Sequence, residues 1–348
     1  MYLSSPLVAL AMQRYPKILR PAGLAGLALM DVALVTASFT SDTAVLVVTQ
    51  GVLYAIGGLA AYFPAVWVVD RLFQANKGIA FGFVLTGTGI SGAVVPFVMQ
   101  WMLDRYGFRT ALRVWAVVLT VLVLPATLAV KDIPPASDTK ASRWADFYFL
   151  KTPSFWLFQF GNVLQSLAYF LPALWIPSFA FSAGLPSESG PLTLCLLNIA
   201  ACGGYLLQGY LVDRFHVTGV IIVVTLGTTI SVFAIWGFAT SQALLYVFAL
   251  TFGLTGGGYA ATWAGCAKNL RRLDTRVNTG LVIAFLCAGK GIGVVLSGPI
   301  SERLLRLVLP WRQSGTAYDS QYAAIILFTG VAAALGGTAG VGRLLKLA

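Results

Sequence analysis

TQGVLYAIGGLAAYFPAVWVVD at 49–70, RLFQANKG at 71–78, IAFGFVLTGTGISGAVVPFVMQWML at 79–103 and DRYGFRTALR at 104–113 decide what kind of chain this is. Two charge-free runs, Thr43–Val69 and Gly78–Leu103, flank a short loop that holds Asp70, Arg71 and Lys77. Each run is long enough to cross a hydrocarbon core of ~30 Å, which takes about 20 helical residues. Gly78, Gly82, Gly87, Gly89 and Gly92 crowd the second run. Small residues at such spacings let helix backbones approach closely in lipid, where dispersion and not the hydrophobic effect holds helices together.

Composition extends this reading to the whole chain. Of 348 residues, 58% are hydrophobic and 10% charged, and 12 acidic residues cannot clothe a soluble globule of this size. The formal net charge of +11 is not a nucleic-acid signature, because the basic residues sit in short loops between apolar spans. There they read as topology signals and as contacts to anionic headgroups. Cys195, Cys202, Cys266 and Cys287 all fall inside apolar spans. Cys195 and Cys202, seven apart, are separated by about 10 Å of helical rise, too far to bridge. No metal spacing or disulfide framework is present, so the cysteines read as small packing residues. The start lacks the basic region of a signal peptide.

Met1–Met12 is apolar but too short to span a bilayer, and ends at the basic Gln13-Arg14-Tyr15-Pro16-Lys17. Ten full spans follow, near 21–41, 43–69, 78–103, 114–130, 154–178, 189–212, 217–238, 243–267, 277–300 and 320–342. The run 217–267 carries no charge and as one helix would measure about 76 Å, so it must turn, at Ala239-Thr240-Ser241-Gln242. Counting Lys and Arg over alternate loops gives 16 against 6, with Lys290 left inside a span. The richer set is cytoplasmic by the positive-inside rule. Lys131–Lys151, the longest polar stretch between spans, contains Pro134-Pro135 and reads as a cytoplasmic linker. The expected domains are an N-terminal lobe (1–130), the linker (131–152) and a six-helix C-terminal lobe (153–348). Arg-aromatic pairs, Arg14-Tyr15 and Arg214-Phe215, end the second span of each lobe, as a duplicated six-helix unit would leave them.

The stretch 49–113 resembles the fourth and fifth helices of the monocarboxylate-porter branch of the major facilitator superfamily, fungal members above all. The Gln50-Gly51 start, Pro64, the glycine series from Gly78, Pro96 and the Tyr106-Gly107-Phe108-Arg109 turn carry the resemblance. It implies an all-α, polytopic, two-lobed fold of twelve helices, of which this chain would lack the first and part of the second. It also implies a secondary transporter of small organic anions, working by alternating access; the plasma membrane is preferred as its location over an internal membrane. Neither an enzyme nor a cofactor is implied. In the resembled animal carriers, coupling is associated with an Asp/Arg pair on the eighth helix and a lysine on the first. Ser189–Val212, the equivalent of that eighth helix, holds neither Asp nor Arg, so proton–lactate symport does not carry over. A second reading, from the missing helix, is a non-transporting membrane protein that binds a ligand or partner.

Two charges and two polar stripes are candidates for the pathway. Lys290 lies about ten residues from Leu281 and ten from Ile300, deep in its span. A cation at that depth costs a few kcal/mol and should face a partner or a wet cavity. It is either an anion-binding residue or a structural lysine at a helix end or carbonyl. Asp31 interrupts the span 21–41 and is either a proton site, with the proton a second partner beside the organic anion, or a hydrogen-bonded packing residue. Asn162, Gln165, Ser166 and Tyr169 recur at i, i+3, i+4 and i+7, one helical face. Tyr259, Thr262 and Trp263 repeat the pattern after Gly256-Gly257-Gly258. In the resembled fold these would be the cavity-lining seventh and tenth helices, although helix packing alone also explains such stripes. Asn198 is a further candidate. His216, the only histidine, has no Ser/His/Asp or metal-ligand cluster available to it.

Overall fold

The computed structural model describes residues 1–73, 75–129, 147–275, 277–307 and 315–340. Residues 131–146 of the expected linker lie outside these, as do Arg276, Arg312, Arg343 and Lys346 of the charge count. Among the described residues every regular element is helical and there is no strand.

The helices are α1 (Ser5–Arg14), α2 (Leu19–Ala37), α3 (Thr43–Leu46), α4 (Tyr54–Leu72), α5 (Lys77–Ala129), α6 (Pro153–Ser182), α7 (Ser189–Arg214), α8 (Val217–Ile230), α9 (Gln242–Gly256), α10 (Trp263–Leu273), α11 (Thr279–Leu305) and α12 (Ala323–Leu335). A π segment, Val47–Leu53, joins α3 to α4 in one span. Among the described residues nine helical stretches are long and apolar enough to cross a membrane. One of them, α5, holds two of the ten expected spans. It runs for 53 residues, about 80 Å if straight, and breaks at Gly107 (φ 74°, ψ 167°). The turn expected at Tyr106-Gly107-Phe108-Arg109 therefore narrows to Gly107, because only glycine adopts that backbone without strain.

One expected boundary moves further. The span placed at 243–267 runs on through α10 to Leu273, which puts Lys268, Arg271 and Arg272 on a helix and not in a loop. Basic side chains in a last turn complement the negative end of the helix dipole, so the charges extend the helix instead of ending it. The side chains left exposed on the spans are largely apolar, Phe83, Val117, Val223 and Leu226 among them, as suits a face toward hydrocarbon.

By packing, the chain forms two compact units. The first comprises Met1–Gln74, Val95–Asp146 and Gly280–Ala288. Its small core gathers Leu34, Ala37, Leu112 and Ala116. There α2 crosses α4 backbone to backbone, since a Cβ on Gly26 would sit 2.6 Å from the Gly57 carbonyl oxygen.

The second comprises Ala75–Val94, Phe147–Thr279 and Gly289–Ala348. Its aromatic core includes Phe179, Trp236, Phe248, Phe252 and Tyr322. Phe179 meets Trp236 edge-on at 6.1 Å, a favourable quadrupole arrangement. The glycine series of α5 seats against α7 in this unit: a Cβ on Gly78 would strike the Gly209 carbonyl, and one on Gly82 the Tyr205 carbonyl. Asp213, in the last turn of α7, accepts hydrogen bonds from the Gly78 and Ile79 amides at 2.8 and 2.9 Å. A carboxylate there satisfies donors that the first turn of α5 cannot pair internally.

Candidate functional site

A small cavity of about 20 Å³, room for roughly one water molecule, lies among α6, α10 and α11 of the second unit. Asn162, Gln165, Ser166 and Tyr169 of α6, Tyr259 and Trp263, and Lys290 of α11 line it. The helical face read from α6 thus points one way, and the two polar stripes meet on the same space.

Local sequence explains how each wall arrives there. Gly293, one turn beyond Lys290, brings α11 onto α6: a Cβ there would lie 2.6 Å from Ser166 Cβ and 2.8 Å from the Val163 carbonyl oxygen. Gly289 meets the Gln159 amide in the same way. Opposite, Gly257–Thr262 tightens from α to 3-10 pitch. A Cβ on Gly257 would sit 2.6 Å from Ala201 Cβ. A change of pitch strands helix carbonyls that lose their partner four residues on. The Gln208 amide of α7 donates to two of these, Leu254 at 3.0 Å and Thr255 at 2.6 Å. Glycines let the tightened segment press against α7, and Gln208 holds its backbone there.

Within the cavity the polar groups are of two kinds. Trp263 Nε1 donates to Asn162 Oδ1 at 2.9 Å, and Ser166 Oγ donates to the Asn162 carbonyl at 2.7 Å. These are satisfied. Gln165 is 2% exposed, and neither its Nε2 nor its Oε1 has a hydrogen-bond partner among the described residues. A buried amide left so costs about 1–3 kcal/mol. Lys290 Nζ lies 5.8 Å from the Trp263 ring centroid and 5.9 Å from that of Phe170, within cation–π range of both. Tyr169 stacks on Phe252, planes 3° apart and centroids 6.1 Å. The Tyr259 hydroxyl donates to the Gly336 carbonyl at 3.4 Å. The arrangement presents a cation, an unspent amide donor and acceptor, and flat aromatic walls.

The other two candidates lie elsewhere. Asn198 of α7 donates to the Leu194 carbonyl at 2.9 Å and the Gly92 carbonyl at 3.4 Å, at the α5–α7 contact. Asp31 belongs to the first unit, where Thr120 Oγ1 donates to its Oδ2 at 2.7 Å. Its Oδ1 is buried without a partner among the described residues. Phe170 and Gln208 were not legible as site residues. Phe170 is one of 22 phenylalanines, and Gln208 acts on a backbone irregularity that only the fold reveals.

Apolar spans that gather amides and a cation inside them define a multi-pass membrane protein. The chain belongs to the major facilitator superfamily, which its residues 1–294 match. It is 28% identical to the MFS transporter asaE of Aspergillus flavus over 308 residues, 88% of this chain and 66% of that protein. It is 25% identical to the agnestins efflux protein AgnL12 of Paecilomyces divaricatus (79% and 63%) and 27% identical to human monocarboxylate transporter 11 (80% and 62%). The chain thus spans a little under two thirds of the length of these relatives. In fold it is similar to a major facilitator transporter, FucP, in its outward conformation, with TM-score 0.72, 14% identity, and 98% and 87% of the two chains covered. Members of this superfamily are transporters and not enzymes.

Proposed function

We propose that the chain is the body of a secondary transporter that moves a small organic anion by alternating access, with the cavity around Lys290 as its binding site in the second unit. One observation carries the reading. Gln165, buried and with neither amide atom hydrogen-bonded among the described residues, stands in the wall that Lys290 shares. A native core seldom tolerates such a group unless something else binds it. An anion with a planar apolar part needs more room than the one-water cavity of this state, so it would part the walls on entry and meet the ammonium and the amide with its charged end and Trp263, Tyr169 and Phe170 with its face. Asp31, with one carboxylate oxygen still open, is the place for a coupling proton.

The sixteen-residue basic set faces the cytoplasm in this reading, and the relative that is an efflux protein supports a plasma-membrane location. An epitope inserted beside Ser137 should be reached by antibody only after permeabilisation. Labelling of intact cells would reverse the orientation.

The deciding experiment measures radiolabelled benzoate on the purified chain, first as equilibrium binding in detergent and then as counterflow in proteoliposomes. Saturable binding and competable counterflow are expected. Binding without flux would place the chain in the second class, a ligand-binding membrane protein. Absence of saturable binding for benzoate and for an aliphatic monocarboxylate would sink the anion site.

A further inference from the structure

At one end of the second unit lies a larger cavity, of about 150 Å³, that the transport site does not use. Its floor is the two-residue connection between α7 and α8. Arg214 ends α7, Phe215 and His216 are extended, and His216 caps α8, its Nδ1 accepting from the Thr218 amide at 3.4 Å with Thr218 Oγ1 2.8 Å away. Its wall is one face of α10, where Gly265, Lys268, Asn269 and Arg272 recur at i, i+3, i+4 and i+7. Gly265 makes the approach possible, since a Cβ there would strike Val212 and lie 3.0 Å from Val217 Cβ. Closing that gap brings Lys268 and Arg272 around the same space as Arg214.

The charge balance of this space is one-sided. Asp213 is the single carboxylate among the lining residues, and both its oxygens are taken by the Gly78 and Ile79 amides. Among the described residues Arg214, Lys268 and Arg272 form no ion pair. Topology signalling asks only that basic residues lie near a helix end, on any face. Here three converge on a walled cavity with Asn269 and His216 as further polar contacts. Two guanidinium forks and an ammonium suit a tetrahedral oxyanion, which takes bidentate donors from arginine.

We propose that this cavity binds the phosphate group of an anionic phospholipid headgroup. Basic pockets at the ends of membrane helices meet such headgroups at the bilayer surface. The test uses the purified full chain in dodecyl maltoside and reads binding by microscale thermophoresis. Dioctanoyl phosphatidic acid is the lipid probe, dioctanoyl phosphatidylcholine the neutral-headgroup comparator and inorganic phosphate the soluble anion. Phosphatidic acid should bind saturably and more weakly as salt rises. Arg214→Gln/Lys268→Gln/Arg272→Gln should weaken it at least about tenfold, and Lys268→Gln alone, at an exposed position, by about threefold. Arg271→Gln, exposed and outside the cavity, should leave affinity within about twofold. Inorganic phosphate that binds as tightly as the lipid would assign the site to a soluble phosphate instead. The proposal is overturned if neither phosphate probe binds saturably, if phosphatidylcholine binds equally well, or if Arg271→Gln weakens binding as much as Lys268→Gln does.

Discussion

Two charges stand in the middle of apolar helices, and their surroundings differ. In the first unit Asp31 accepts from the Thr120 hydroxyl through one oxygen, and its other oxygen has no partner among the described residues. Lys290 stands among two aromatic rings, an indole-bonded asparagine and a glutamine whose amide has no partner among the described residues. In sequence the two looked alike, each a costly charge inside a span. In the structure one is a carboxyl held by a threonine hydroxyl, and the other lines a cavity beside a buried amide that has no hydrogen-bond partner among the described residues. A buried charge marks a place worth examining, and its neighbours decide what that place does.

The largest effect expected from this contrast is at Lys290. Lys290→Met should weaken benzoate binding at least about 100-fold, the loss expected when a poorly screened anion loses its cation. Lys290→Arg should retain part of it. Near-normal binding by the methionine variant, at equal expression, would return the lysine to a structural role.

Gly293→Val tests whether the position of Lys290 matters as well as its charge. The added branch has no room against Ser166 and Val163, so α11 must shift. Overpacking of this kind costs about 1–3 kcal/mol of stability. Thermal unfolding and benzoate binding should both decline, and a fall in stability with binding intact would show that Lys290 is not held by this contact.

Gln165→Leu sharpens the comparison further because its two readouts should diverge. Replacing an unsatisfied buried amide by an apolar side chain should hold stability constant or raise it by up to about 1–2 kcal/mol. Benzoate binding should nevertheless fall about tenfold, one charge-assisted hydrogen bond. A loss of stability, with binding unchanged, would mean that the amide serves the fold.

The smallest change in stability is expected at the other charge. Asp31→Asn keeps an acceptor for Thr120 and should cost less than about 1 kcal/mol, whereas Thr120→Val removes the donor and should cost about 1 kcal/mol more. What the asparagine cannot do is carry a proton, so accumulation driven by a pH gradient should disappear. Accumulation that survives in this variant would make Asp31 a packing residue.

Much of this was legible in the sequence because the bilayer imposes a simple rule. Backbone groups have no water to bond in hydrocarbon, so apolar runs of about 20 residues become helices whatever surrounds them. The spans, the break at Gly107 and the face of α6 bearing Asn162, Gln165 and Tyr169 follow from that rule and from helical periodicity. The length of α10 did not, because its basic last turn looks like a loop when only apolarity is counted.

What tertiary structure alone decided is which faces meet. Asn162 belonged to a periodic stripe in the sequence and Asn198 stood alone as a weaker candidate; in the fold Asn198 abuts Gly92 and Asn162 bonds Trp263 beside Lys290. Gln208 could not be foreseen because its partners are carbonyls freed by a change of helical pitch in a different helix. Nor could the spent state of Asp213, whose charge is absorbed by the start of α5 more than 130 residues away. Periodicity is a property of one helix and survives in a single sequence. Pairing depends on glycine contacts between helices distant in the chain, and only the fold brings those together.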